Sequence, residues 1–180
     1  DFLSQILQTV IEVIEEADCG SVYLFVDNQV EFVDTVGHDL EKLQQLEISA
    51  ELFKSITDEV NVVDDILDFG RQNIDDCQWQ QLKEASRPIQ QSIIFDLSVD
   101  NEKIGGVNVD ISQEKGGQFN LQSWSLVRAF RSLATSFYTM QRFSQMQQEF
   151  QEEIVSSMVK MLEIHDKYTK GHSENVSHLA

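Results

Sequence analysis

The chain has 180 residues, with 13 Lys and Arg against 31 Asp and Glu, a formal net charge of −18, 41% hydrophobic and 9% aromatic residues. That apolar content supports a packed core of one domain with something added, and it excludes wholesale disorder. A surface this acidic, without Lys and Arg clustered among aromatics, excludes a nucleic-acid polymer as partner but leaves a small phosphorylated ligand in a local pocket open.

No apolar run approaches the roughly 20 residues that span a bilayer, and the first ten residues lack a basic leader, so no membrane contact is expected from this segment. Cys19 and Cys77 are too few and too distant for a disulfide framework, and neither has a Cys or His at metal-ligand spacing nearby. A reducing compartment, the cytoplasm, is the expected location. The chain opens without Met and closes inside a helical pattern, so it reads as a piece of a longer protein.

From Asp1 to Ala17, Leu3, Leu7, Val10, Ile14 and Ala17 recur at steps of four and three, which predicts a helix closed by Gly20 in a left-handed conformation. Period two then takes over. Val22, Leu24 and Val26 alternate with Tyr23 and Phe25, and Asp27-Asn28 turns the chain into a second strand over Val30 to Val36. Leu40 to Ile56 predicts one or two short helices, Val60 to Val63 a short strand, and Cys77 to Ala85 a helix within the weakly periodic stretch from Asp64 to Arg87. That stretch is where a variable loop or lid belongs.

After Pro88, Ile93, Phe95, Leu97 and Val99 form one face of a strand, and Asp100 to Lys103 turns into a partner over Ile104 to Ile111. Gly105-Gly106 within that partner predicts a bulge or a close backbone approach. From Leu121 no Gly or Pro interrupts the chain until Gly171, and Leu126, Phe130, Leu133, Phe137 and Met140 keep a four-three step. The seam slips by three at Phe143 and Met146 and resumes through Phe150, Ile154, Met158 and Met161, the pattern of a stammer in a coiled coil.

This order of elements predicts an α+β fold: an antiparallel sheet of five or six strands flanked by helices, with a long C-terminal coiled-coil helix. The first and last helices carry apolar stripes broader than one sheet face needs. They are expected to pack together and to pair with the same helices of a second copy, giving a parallel homodimer. For Leu121 to Met140 an alternative stands open, in which these residues only cap the sheet's own core.

Little points to catalysis. Asp64-Asp65, Asp68 and Asp75-Asp76 match no calcium-loop spacing and read as a solvated loop, and Asp68-Phe69-Gly70 lacks every other kinase element. His38 reads as a loop histidine. A pocket between sheet and helices would draw apolar walls and polar anchors from Phe69, Cys77, Trp79 and Ser92.

Ser86-Arg87-Pro88 through Ile93-Ile94-Phe95-Asp96-Leu97 to Gly105-Gly106-Val107-Asn108-Val109-Asp110 resembles the closing hairpin of a GAF domain, and the earlier elements follow in that family's order. The resemblance implies a GAF-like ligand-sensing domain over 1–143 with its terminal helices, and a connecting signalling helix over 144–161. The Asn-Lys-Phe-Asp-Glu signature of cyclic-nucleotide GAF domains is absent. A second stretch, Leu162-Glu163, Asp166, Tyr168-Thr169, Gly171-His172-Ser173 and Val176, is similar to the opening of an HD-GYP domain, with Ile164 and His165 in place of the family's Ala and Arg.

That likeness implies that 162–180 is the N-terminal stub of a metal-dependent cyclic di-GMP phosphodiesterase. His172 would be its first metal-binding histidine, the divalent metal ions belonging to the remainder of that domain. One imidazole cannot hold a hydrolytic metal site, so no activity and no cofactor are expected within these residues. Gly171 is expected to interrupt the helix between His165 and His172. The sequence thus predicts a regulatory, dimerising sensor for a downstream phosphohydrolase, with an unidentified small-molecule ligand. The alternative is a ligand-free GAF-like spacer.

Overall fold

The computed structural model describes residues 2–56, 60–64, 75–100 and 102–177, with side chains described in these ranges except at 55–56 and 163–177. By internal packing the chain divides into two units, 1–138 and 139–180. The first holds a sheet of strands β1 (Cys19–Val26), β2 (Gln29–Val36), β3 (Val60–Asp64), β4 (Ile89–Val99) and β5 (Glu102–Ser112). Their order is β2-β1-β5-β4-β3, and every neighbouring pair is antiparallel. Helix α1 (Phe2–Val13) precedes the sheet, and α2 (Leu40–Leu43), α3 (Ala50–Ile56) and α4 (Asp76–Ala85) lie between β2 and β4. Helix α5 (Leu121–Ser177) supplies the end of the first unit and the second unit.

The turns follow the local chemistry of the sequence. Asp27 and Asn28 take φ of 48° and 63°, the pair of left-handed residues that a two-residue hairpin between twisted strands requires. Asp100 at φ 52° begins the same kind of connection between β4 and β5, where Val99 pairs with Glu102. The N-terminal helix ends earlier than its apolar pattern, at Val13. The Ile14 N–H meets the Val10 carbonyl in its last turn, and beyond the helix the Ala17 N–H donates to the Ile14 carbonyl and Lys115 to those of Glu15 and Ala17.

Gly20 therefore does not close that helix. It lies inside β1 without a positive φ, and a side chain there would strike the Asn108 carbonyl and the Leu7 and Ile11 side chains of α1. Glycine is needed for close packing of helix on sheet rather than for a cap. The paired glycines of β5 act as expected: Leu97 pairs with Gly105 and Ser98 with Lys103, an irregularity that accommodates Ile104, and Gly105 packs on the Tyr23 backbone.

Each face of the sheet has its own core. On one, Leu3, Leu7, Val10 and Ile14 pack with Val22, Ile93, Phe95, Leu97, Val107 and Val109 and with Val127 and Ala134 of α5. Each of these Val, Leu, Ile and Phe side chains stabilises by about 1.5–3 kcal/mol when fully buried. The rings of Phe2 and Phe137 stack at 3.6 Å, joining α1 to α5. On the other face, Tyr23, Val30 and Phe32 pack with Leu43, Ile48, Leu52, Phe53, Leu82 and Ala85.

The stripe of α5 that enters the sheet core is Val127 and Ala134, offset from the predicted seam. Leu126 and Phe130 of the seam are only partly buried, and Leu133, Phe137 and Met140 are exposed. The capping account thus holds for Leu126 and Phe130, which pack against the sheet core, and leaves Leu133 and Met140 outside it. In the second unit Phe143, Met146, Phe150, Ile154, Met158 and Met161 are likewise exposed. The helix runs through Gly171 to Ser177, so the expected interruption is absent. A single helical glycine costs only about 1 kcal/mol, too little to break a helix of this length.

Candidate functional site

The alternation of β1, β4 and β5 gives the second sheet face an unusual composition. Residues 19, 21 and 23 of β1 lie opposite 110, 108 and 106 of β5, which lie opposite 92, 94 and 96 of β4. The result is a sheet of Cys19, Ser21, Tyr23, Asp110, Asn108, Gly106, Ser92, Ile94 and Asp96. Cys19, Ser21, Ser92, Asp96, Asn108 and Asp110 are all buried, where polar groups need partners.

Most have them. Asp110 accepts from the Ser92 hydroxyl through one carboxylate oxygen and lies 3.2 Å from His38 Nε2 through the other. The backbone N–H of Arg87 donates to His38 Nδ1 at 3.1 Å. With Nδ1 accepting, the proton of the neutral imidazole sits on Nε2 and is donated to Asp110. A second cluster adjoins it at the strand ends. Asp18 accepts from the backbone N–H of Ser112 at 2.8 Å and from its hydroxyl at 2.6 Å, and Arg87 lies 3.5 Å away. Burial would raise the Asp18 carboxyl, but the Ser112 bonds, the Cys19 thiol and the Arg87 charge outweigh it and hold it below the usual carboxylate range. Burial, and then the charges of Asp110 and Asp18, push the Cys19 thiol strongly upward.

Cys19, His38 and Asp110 present their ligand atoms within 4.8 Å of one another, the one such grouping among the described residues. As a metal centre it is compromised by its own hydrogen bonds. Coordination through Nε2 would move the imidazole proton to Nδ1, against the Arg87 N–H, and would require a thiolate where the surroundings favour a thiol. The arrangement is a proton-locked tie between the β2–α2 loop and the middle of the sheet.

Two buried atoms on this face have no hydrogen-bond partner, Tyr23 Oη and Asn108 Oδ1. The Tyr23 hydroxyl occupies the space over Gly106, where a Cβ would lie 2.5 Å from it, and its ring is enclosed by Phe25, Phe32 and Phe53. Burial pushes this phenol upward, with Asp110 and Asp96 adding to the effect.

The predicted pocket residues are distributed as follows. Ser92 is on the polar face, bonded to Asp110. Cys77 is exposed in the first turn of α4, which Asp75 caps by accepting from the backbone N–H groups of Cys77 and Gln78. Trp79, one turn further, is half-buried with the Lys83 ammonium over its ring at 4.9 Å. Phe69 and the Asp68-Phe69-Gly70 stretch lie outside the described residues, as do the side chains of His165 and His172. His38 lies in a loop, as the sequence predicts, but its bond to Asp110 was not foreseen, the alternation of Asp110 with Val109 and Ile111 being the available signal.

A separate cavity of about 290 Å³ opens at the β3 side of α5, lined by Val60, Trp124, Arg128, Arg131 and Ser132. Arg131 Nε lies 2.8 Å from a buried Asp96 oxygen, and the Arg128 guanidinium lies 5.0 Å over the Trp124 ring.

The arrangement of sheet and helices has counterparts among solved structures. A domain assigned to a two-component sensor histidine kinase protein from Sinorhizobium meliloti 1021 superposes with a TM-score of 0.60 at 15% identity, over 81% of this chain and 95% of that one. The GAF domain/HD domain protein from Geobacter sulfurreducens gives 0.58 at 13% identity, over 77% and 92%. The PixJ GAF domain of Thermosynechococcus elongatus, in its blue-light absorbing form, gives 0.57 at 15% identity, over 80% and 89%. The fold is GAF-like. At these identities the GAF likeness speaks for architecture alone. No family model and no curated protein matches the chain. No described helix is long and apolar enough to cross a membrane.

Proposed function

We propose that the chain is the sensing and dimerising part of a signalling protein that controls a downstream metal-dependent phosphodiesterase acting on cyclic di-GMP. The observation that carries this reading is the exposed seam of α5. Val127 and Ala134 anchor the helix in the sheet core, while Leu133, Met140 and the apolar residues through Met161 remain uncovered in a single chain. A stripe of that length and four-three spacing is best covered by the same stripe of a second copy. The HD-GYP-like stretch from Leu162 to Val176 follows directly, and the Geobacter sulfurreducens protein described as joining a GAF to an HD domain supports that combination.

In this reading a small molecule binds between the sheet and the segment from Asp64 to Arg87, with Phe69, Cys77, Trp79 and Ser92 at its walls, and favours one arrangement of the paired helices. His172 would take a metal only together with ligands that these 180 residues do not supply. The parallel homodimer forms through α1 and α5, without nucleic acid or membrane, in the cytoplasm.

Native mass spectrometry of residues 1–180 tests the reading in one spectrum. It should give a dimer, and Phe150→Glu should give a monomer with unchanged melting of the sheet domain. A monomer for the parent chain would overturn the proposal. Added mass on the dimer would identify the ligand class, whereas a bare dimer would favour a second reading, a ligand-free spacer. That second reading is favoured by the Tyr23 side chain, which fills the space over Gly106.

A further inference from the structure

The cavity beside α5 combines three features that the sensor reading does not use. Arg131 is held by a carboxylate that is itself buried: Asp96 is 3% exposed, accepts from Arg131 Nε through one oxygen and from the Ser98 hydroxyl through the other. A guanidinium carries five N–H donors in a rigid plane, so engagement through Nε orients the fork and leaves both terminal nitrogens to point elsewhere. Arg128, one turn earlier on the same helix, stacks on Trp124 and has no carboxylate within ion-pair distance among the described residues. Ser132 adds a hydroxyl to the same 290 Å³ space.

We propose that this cavity binds a small dianion, a phosphate ester or a dicarboxylate, between the guanidinium groups of Arg128 and Arg131. Planar, bidentate recognition of such oxygens is what paired arginines do better than lysines. Asp96 serves as the positioning residue, and Trp124 forms one wall. The site shares Asp96 with the polar sheet face but none of Cys19, Ser92 or Asp110. Neither arginine belongs to the seam running through Phe130, Leu133 and Phe137. The inference therefore stands or falls independently of dimerisation and of the ligand proposed above.

The test uses residues 1–180 carrying Trp79→Phe, so that Trp124 is the sole remaining indole. Sodium phosphate and sodium malonate are each titrated against sodium chloride at constant ionic strength, and Trp124 emission is recorded. A saturable change with either anion is expected, the tighter of the two assigning the oxyanion class. Arg128→Gln, at an exposed position, should weaken it by about tenfold or more while leaving the melting temperature unchanged. Lys160→Gln, remote in sequence, should leave it intact. Absence of a saturable response to both anions would overturn the proposal, as would a response that survives Arg128→Gln. Arg131→Lys supplies a second check, since it keeps the charge that faces Asp96 but loses the fork, and it should also weaken binding.

Discussion

His38 and Asp110 stand 72 residues apart in sequence and 3.2 Å apart in the fold, with the imidazole proton directed at the carboxylate. Because the same carboxylate receives the Ser92 hydroxyl, Asp110→Ala strands two buried donors at once. The variant should lose about 3 kcal/mol of unfolding free energy. His38→Ala, which removes a donor and leaves Ser92 in place, should lose less. Urea denaturation of the two variants checks the order, and equal losses would mean that Ser92 contributes nothing to the tie.

Tyr23 is expected to behave in the opposite sense. Its hydroxyl is buried without a partner, so Tyr23→Phe removes a desolvated polar atom and leaves the ring contacts with Phe32 and Phe53. The variant should be more stable than the parent by about 1 kcal/mol, read as a rise in melting temperature. Gly106→Ala should be destabilising, because its methyl group would compete with that hydroxyl for the same space.

The two thiols should react at very different rates. Cys77 is exposed at the start of α4, whereas Cys19 is buried and its thiol is pushed upward by burial and by Asp110 and Asp18. Iodoacetamide near neutral pH should label Cys77 and spare Cys19 until the protein unfolds, as peptide mass analysis would report. The raised thiol also has a thermodynamic side. Its neutral form is favoured in the fold, so its contribution is complete below the unfolded thiol value of about 8.5 and is lost as pH rises above it. Cys19→Ala should flatten the alkaline decline in stability.

Asp18 gives the acid counterpart. Its carboxyl is held below the ordinary range, so its contribution is present above an unfolded value of about 3.9 and is lost as pH falls through the lower folded value. Asp18→Asn should melt below the parent at pH 7, by a free-energy difference of about 1 kcal/mol. The gap should narrow on acidification from pH 4 downward. A gap that stays constant with pH would show that the Ser112 bonds do not depend on charge.

Much of the architecture was legible because it rests on local periodicity. The step of four and three in Leu3, Leu7 and Val10, the alternation around Ile93 and Phe95, and Asp27-Asn28 as a turn each report the environment of a few neighbouring residues. What escaped depends on residues brought together from afar. Gly20 looked like a helix cap because the carbonyl of Asn108 that demands a glycine there belongs to another strand. His38 read only as a loop histidine because its partners, Arg87 and Asp110, come from β4's approach and from β5. The seam of α5 was visible as a repeat, but the stripe next to it, Val127 and Ala134, is identified as core only once the sheet is in place.

The strand order also constrains how the chain acquires its structure in time. β5 is the last strand to be synthesised, yet it lies between β1 and β4, and Cys19 pairs with Asp110. Until β5 emerges, β1–β2 and β3–β4 are separate antiparallel pairs with no common edge, and the polar face that spans Cys19, Asp110 and Ser92 has no middle. Closure of so long a loop is entropically expensive before any contact rewards it, so folding should be slow for the domain's size and should occur as one late event. A nascent chain stalled before Glu102 would expose two unpaired strand edges, making that interval of translation the point at which chaperone capture matters most.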